Sequence, residues 1–167
     1  MTMTTTVLTD AYERISQEVH TTVEGLAPDQ LSARVAPGAN TIGWLVWHLT
    51  RVQDSHIADV ADKEQVWISG GWYDRFGLPF KANATGYGFS SEDVGAVKGI
   101  DESQLTGYFD AVHQQTLAYV AGLADADLEE IVDTRWDPPV TLAARLVSVI
   151  SDDLQHVGQA AYAKGLL

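Results

Sequence analysis

Apolar side chains recur every three or four residues in four long segments of the chain. In the first segment, residues 7–26, they follow a 3-4-4-3 spacing and therefore lie on one face of a helix: Tyr12, Ile15, Val19, Val23 and Leu26. Three further segments carry a comparable pattern: residues 42–59, 102–123 and 142–164. No segment shows a convincing β-strand alternation. The sequence therefore predicts an all-α four-helix bundle.

Residue types at the segment ends agree with these helix assignments. Asn40 or Thr41 is suited to cap the second helix, and Thr141 to cap the last one. Gly165 is a natural C-terminal stop for the last helix. A length of 167 residues is enough for one domain, 1–167, with a single core.

The connection between the second and third helices, residues 61–100, differs in composition from the rest of the chain. It holds half of the 14 glycines, mixed with seven aromatic residues. Because a solvated linker would not carry so many aromatic side chains, we expect a packed loop that they anchor over a site. Its length predicts a crossover connection rather than a simple up-down-up-down path.

Composition excludes several classes of function. The chain contains no cysteine, which removes disulfide frameworks, thiolate metal sites and cysteine catalysis. Its net charge of −13 leaves no basic cluster for nucleic acid or for acidic lipid surfaces. Phosphate-binding glycine loops, nucleophile elbows, HExxH and EF-hand motifs are also missing from the sequence. The N-terminus lacks the features of a signal peptide, so we expect a cytoplasmic protein without a membrane segment.

Two histidines are predicted to point into the bundle. His48 lies in the middle of an apolar arc of the second helix, and His156 lies on the apolar stripe of the last helix, one turn after Asp152 and Asp153. Side chains at i and i+3 or i+4 are neighbours on a helix, so an aspartate and His156 can reach one ion together with His48. Helical geometry slightly favours Asp153, which lies nearer the centre of the stripe, and leaves the choice between the two aspartates open. The alternative is a buried Asp–His pair that joins two helices without a metal.

The remaining polar candidates are given weaker roles. We expect His20, His56 and His113 at the surface or at helix edges, with His56 near a pocket rim. Arg145 lies on the same side of the last helix as His156, roughly 16 Å away by helical rise. It is expected to pair with a neighbouring acid; the alternative is that it holds an anionic group at a cleft mouth.

Three residues beside the histidines complete this interpretation. Trp44 and Trp47 flank His48 and are expected to serve the core or an interface. Gln159 follows His156 by one turn and can hydrogen-bond to it.

Two stretches resemble a known family. They are residues 41–52, TIGWLVWHLTRV, and residues 152–162, DDLQHVGQAAY. Both resemble the DinB/YfiT-like superfamily, and most closely the small domains related to the metal-binding domain of mycothiol-dependent maleylpyruvate isomerase. The similarity covers nearly the whole chain, including residues 67–87 and the run RWDPPVT at 135–141.

The resemblance implies a four-helix bundle that binds a divalent metal, zinc or nickel above all, through three side chains. In much of the superfamily all three are histidines, but the isomerase relatives carry a carboxylate four residues before the last histidine. Asp152 matches that position, so the resemblance favours His48, Asp152 and His156 as ligands, with Asp153, Gln159 and Arg145 in supporting or substrate-binding roles. It also implies a homodimer formed through bundle helices.

The same resemblance implies an activity. Relatives use the metal to lower the pKa of a low-molecular-weight thiol such as mycothiol and so generate a thiolate nucleophile. We therefore expect a thiol S-transferase acting on an electrophilic substrate, with the thiol supplied from outside. Isomerase activity is less expected, because the isomerase carries an additional C-terminal domain, and hydrolase activity is less expected as well. The alternative is a non-catalytic metal-binding or stress-associated interaction protein.

Overall fold

The computed structural model describes residues 2–167 and is built mainly of α-helix. In chain order its helices are α1 (Met3–Val23), α2 (Pro28–Leu31), α3 (Ile42–Val60), α4 (Val66–Ser69), α5 (Trp72–Phe76), α6 (Ser91–Ala96), α7 (Glu102–Ala121) and α8 (Leu142–Lys164). A 3₁₀ turn at Asp125–Glu129 precedes two short strands, β1 (Ile131–Asp133) and β2 (Val140–Thr141). Among the described residues, no helix combines the length and apolar character needed to cross a membrane.

The four long helices form the predicted bundle. Helix α3 packs against α7 and α8, and α1 packs against the same two helices on the opposite side. The contact of His20 with Asp110 and that of Gly25 with Glu102 show that α1 and α7 run antiparallel. The prediction of an all-α four-helix bundle is confirmed.

The long connection after α3 crosses back along the bundle, as predicted. Arg51 and Gln53 of α3 contact Tyr108 and Thr116 of α7 in the same chain order, so the two helices run parallel. Residues 61–101 must therefore return from the end of α3 to the start of α7. The aromatic side chains of this segment pack inward, with Trp67 buried against Phe76, Trp47 and Tyr108.

Helix ends follow the expected capping chemistry. The hydroxyl of Thr41 accepts a hydrogen bond from the Trp44 N–H, and the hydroxyl of Thr141 accepts one from Ala144. Gly165 follows the last residue of α8. These caps fix where α3 and α8 begin and thus which of their residues face each other.

The sequence shows no convincing strand pattern, and the structure adds one small two-stranded sheet to the helices. Strands β1 and β2 pair antiparallel, with Ile131 opposite Thr141 and Asp133 opposite Val140. The strands have three and two residues, which is too short for an alternating pattern to show in the sequence. This hairpin places residues 133–140 beside α8, at one end of the site described below.

A charged cluster is buried completely between α3 and α7. Arg51 and Asp54 are fully buried and form an ion pair of 3.4 Å, and the Tyr108 hydroxyl donates to Asp54 at 2.7 Å. Asp54 also accepts the backbone N–H groups of Val66 and Trp67, each at 2.8 Å. We call Arg51, Asp54 and Tyr108 the Arg51 cluster. This cluster attaches the start of the crossover segment to the bundle.

Candidate metal centre

Three ligand-type side chains converge between α3 and α8. His48 projects from α3, while Asp152 and His156 project from successive turns of α8. One ligand atom from each of the three lies within 4.8 Å of the others. The structure therefore brings together the His–Asp–His group (His48, Asp152 and His156) that the family resemblance implies.

The surroundings of His48 fix the orientation of its ring. The imidazole stacks on Trp44 at a centroid distance of 4.6 Å and meets His156 edge-on at 4.8 Å. Its Nδ1 lies 2.5 Å from the carbonyl oxygen of Thr85. Because a carbonyl can only accept, Nδ1 must carry the proton, and Nε2 keeps the free lone pair.

The electrostatics of the group suit metal binding. Burial lowers the pKa of His48, which keeps its imidazole neutral. Burial acts to raise the pKa of Asp152, but its contacts with His156 and the charges of His48 and His56 outweigh that effect and lower it. The contact with Asp152 raises the pKa of His156 against the effect of burial. The result is an anionic carboxylate and a neutral His48, the forms that bind metals, while His156 must release its proton when a metal binds.

One carboxylate oxygen of the group has no partner. Asp152 Oδ1 lies 3.6 Å from His156 Nε2, while Asp152 Oδ2 is buried without a hydrogen-bond partner among the described residues. Leaving a buried carboxylate oxygen unpaired is costly, and a cation would satisfy it. Two imidazoles and one carboxylate are ligands that zinc and nickel accept, so the residues present fit a divalent ion.

The neighbouring Asp153 lies elsewhere. Its side chain is 0% exposed and is not part of the His–Asp–His group; it lies close enough to Tyr12 of α1 to add, after burial, to the raised pKa of that phenol. Burial raises the pKa of Asp153 well above its usual range, and neither of its oxygens has a hydrogen-bond partner within residues 2–167. Helical geometry correctly places Asp153 at the centre of the buried stripe, but the centre of that stripe faces the core rather than the site.

Arg145 and Gln159 occupy different positions around the group. Gln159 Oε1 lies 3.4 Å from His156 Nδ1. The buried Arg145 forms ion pairs with Asp133 and Asp59, each at 3.2 Å, as expected of an arginine in an acidic chain. Its remaining contact is with His56 Nδ1 at 3.0 Å.

The other three histidines differ in their exposure to solvent. His20 is exposed and pairs with Asp110, and His56 is half-buried at the wall of a cavity, as expected for both. The prediction that His113 lies at the surface or at a helix edge is wrong, because it is buried and stacks on Phe109. It follows Phe109 by four residues and therefore shares the buried face of α7.

A cavity of about 810 Å³ opens beside the His–Asp–His group. His48 and Asp152 contribute to its wall, and so do residues from α3, α8, the crossover segment and the hairpin. Its lining is mainly apolar and includes Val52, Val140 and Ala144, with two exposed aromatic rings at the rim, Tyr87 and Trp136. The expectation that the crossover segment covers a site is met by Thr85 and Tyr87. Sequence reasoning missed Thr85, because it acts through a backbone carbonyl that every residue possesses.

Comparison with known proteins gives a family and a structural relative. The family model of the DinB superfamily matches residues 11–160. The crystal structure of a conserved protein from Enterococcus faecalis has a TM-score of 0.92 to this chain at 26% sequence identity, covering 99% of this chain and 97% of that one. None of the curated proteins matches the chain at a significant level.

These matches support the assignment of the chain to a superfamily. Its assignment to one branch of that superfamily stays a prediction. The matches do not separate the branch related to mycothiol-dependent maleylpyruvate isomerase from other members. The family match spans most of the sequence and contains all three residues of the His–Asp–His group. The chain therefore belongs to the DinB superfamily.

Proposed function

We propose that the protein is a metal-dependent enzyme that joins a low-molecular-weight thiol, such as mycothiol, to an electrophilic substrate. The observation that carries the proposal is the unpartnered Asp152 oxygen in a His–Asp–His group at the wall of a large cavity. Three protein ligands leave further positions of a zinc or nickel ion free for a substrate. A divalent ion there would supply the field that lowers the pKa of a thiol to form a thiolate.

The chain's own residues supply binding and orientation. His48 and His156 offer imidazole nitrogens from facing helices, and Asp152 offers the single negative charge. Val52, Val140 and Ala144 give the cavity an apolar wall that suits the body of an electrophile. Since the chain has no cysteine, the thiol must come from solution.

The first test is the metal content of protein purified without a chelator. We expect one equivalent of zinc or nickel per chain in the wild type and almost none in His156→Ala. His20→Ala is the matched control, because His20 is an exposed histidine of α1 that pairs with Asp110 of α7 and is not part of the group. Wild-type protein without metal, or His156→Ala with full metal, contradicts the proposed site.

The second test separates an enzyme from a metal-binding protein without catalysis. Protein of full metal content is mixed with a small thiol and either an epoxide or a chlorinated aromatic acceptor, and the conjugate is measured. Turnover that is lost in Asp152→Ala supports the transferase. Retained metal without turnover of either acceptor favours the non-catalytic alternative.

A homodimer is also part of the proposal. The adjoining helices α1 and α8 present apolar side chains to solvent, among them Val7, Val147, Leu154 and Tyr162. Such exposed apolar side chains suit an interface with a second copy. Sedimentation is expected to show a dimer that Leu154→Glu weakens, and a monomeric wild type contradicts this expectation.

A further inference from the structure

We propose that the backbone segment 82–86 is a positioning element that holds His48 in its metal-binding orientation, and that the buried Arg51 holds this segment. The proposal rests on the metal site proposed above. It concerns how the crossover segment, which supplies no ligand, determines the strength of that site.

The first step is the contact between the segment and the ligand. The Thr85 carbonyl accepts the Nδ1–H of His48 at 2.5 Å. This hydrogen bond selects one tautomer and fixes the rotation of the ring, so that Nε2 is aimed at Asp152 and His156. Without it, a neutral histidine could place its proton on Nε2 and would then have no lone pair to offer there.

The second step is the close approach that makes the contact possible. Gly86 has a φ of +94°, and a Cβ at this position would lie 2.7 Å from His48 Nδ1 and 3.1 Å from Trp47. Carbon and nitrogen atoms that are not bonded do not approach so closely. Because Trp47 is buried and cannot move aside, only glycine lets the backbone lie against the His48 ring.

The third step is the anchor of the segment. The Nε of Arg51 donates to the Ala84 carbonyl at 3.1 Å, and its Nη2 donates to the Ala82 carbonyl at 3.3 Å. Arg51 is itself held by Asp54 and Tyr108. Its guanidinium is therefore fixed on both sides, and the segment is attached to a rigid part of the bundle.

The spacing of two residues on α3 places both of them against the same segment. His48 and Arg51 are three residues apart and so lie on the same face of the helix. Together they donate to three carbonyls of one short segment, those of Ala82, Ala84 and Thr85. The crossover segment thus sets the geometry of a ligand through its backbone alone.

The chain offers a matched pair of variants to test this. Gly86→Ala places a methyl group against His48. Gly88→Ala carries a similar backbone strain, with a φ of +73°, but apart from its chain neighbours no described residue lies within 4 Å of its Cβ. Zinc affinity is measured by competition with a chromophoric chelator. We expect Gly86→Ala to lose about 10- to 100-fold in affinity, the usual cost of disturbing a group that orients a ligand. Gly88→Ala should stay within about twofold of the wild type, since it leaves the first metal ligands and their partners untouched.

A second measurement uses metal-free protein and does not depend on the proposed function. Nitrogen–proton NMR of the imidazoles is expected to show His48 as the Nδ1–H tautomer in the wild type and in Gly88→Ala, and to lose that signal in Gly86→Ala. An Nε2–H tautomer in the wild type overturns the positioning proposal even if Gly86→Ala does not fold. Equal zinc affinity in the two variants overturns it as well. If wild-type protein binds no zinc but shows the expected tautomers, the metal function fails and the positioning of His48 stands.

Discussion

Helix α3 carries two polar clusters within two turns, and they differ in how completely their hydrogen bonds are made. In the Arg51 cluster, both oxygens of Asp54 are used by backbone N–H groups, and Tyr108 and Arg51 add further contacts. In the His–Asp–His group, Asp152 Oδ2 has no hydrogen-bond partner in the described part of the chain, and Oδ1 reaches His156 only at 3.6 Å. The first cluster is fully buried, while the second borders a cavity.

This difference distinguishes a structural polar cluster from a ligand-binding polar cluster in this fold. Burial of a polar side chain alone does not distinguish them, because His48 and Arg51 are both buried. A complete set of partners leaves nothing for a ligand to add, so the Arg51 cluster is assigned to stability. An incomplete set at a cavity wall leaves a charge that an added cation would satisfy.

The largest expected effect comes from removing the carboxylate in each cluster. Asp54→Ala leaves the Arg51 charge buried without its counter-ion, and we expect a loss of about 3–5 kcal/mol in the free energy of unfolding. Asp152→Ala removes a charge that has no complete partner set, so metal-free protein should change by less than about 1 kcal/mol. Urea unfolding of both variants measures the contrast. Equal losses would show that the two clusters do the same work.

A smaller effect of opposite sign is expected when zinc is added. Zinc at about 100 times its Kd should raise the free energy of unfolding of the wild type by about 2.7 kcal/mol, since it binds only the folded state. Asp152→Ala should lose this gain, because its negative ligand is gone. Thermal unfolding with and without zinc measures both. His20→Ala serves as the control and should keep the full gain, and a gain of the same size in Asp152→Ala would contradict the assignment.

The smallest effect concerns a carboxylate that borders the cavity but is fully partnered. Hydrogen bonds from Arg135 hold the pKa of Asp133 well below its usual range, with Arg145 adding to the effect. A folded-state pKa below the unfolded one, about 3.9, gives stability that is complete above that pH and is lost as the pH falls below it. We expect Asp133→Asn to reduce the loss of stability on acidification.

The control for this pH dependence is Asp10→Asn. Asp10 also has a lowered pKa, through Arg14, but both side chains are exposed on α1 and their pairing is screened by solvent. The replacement of Asp10 should change the loss of stability on acidification less than the replacement of Asp133 does. If Asp133→Asn loses as much stability on acidification as the wild type does, the partners of Asp133 at the cavity wall do not stabilise the fold.

The fold and the convergence of the His–Asp–His group could be predicted from the sequence for separate reasons. Helix positions follow from local rules, namely apolar spacing and the caps at Thr41 and Thr141. The structure confirms the predicted helix positions. The convergence of His48 with Asp152 and His156 needed more, since residue spacing alone could not choose between Asp152 and Asp153. The carboxylate position seen in the resembling family favoured Asp152, and the structure brings Asp152 to the two histidines.

What could not be predicted depends on contacts between distant segments. An arginine and an aspartate three residues apart usually indicate a solvated helix face, so Arg51 and Asp54 gave no sign of burial. The Thr85 carbonyl carries no side-chain signal, and Gly86 is one of seven glycines in residues 61–100. Their roles follow only from the path that the crossover segment takes back over α3.

The most direct test of the central claim is a crystal structure of protein loaded with zinc, measured on both sides of the zinc absorption edge. We expect a single strong anomalous peak within bonding distance of His48, Asp152 and His156. We also expect that crystals of Asp152→Ala lack this peak while keeping the same fold. A wild-type crystal grown with excess zinc that shows no peak among these three residues, or a peak at Asp153 instead, would contradict the claim.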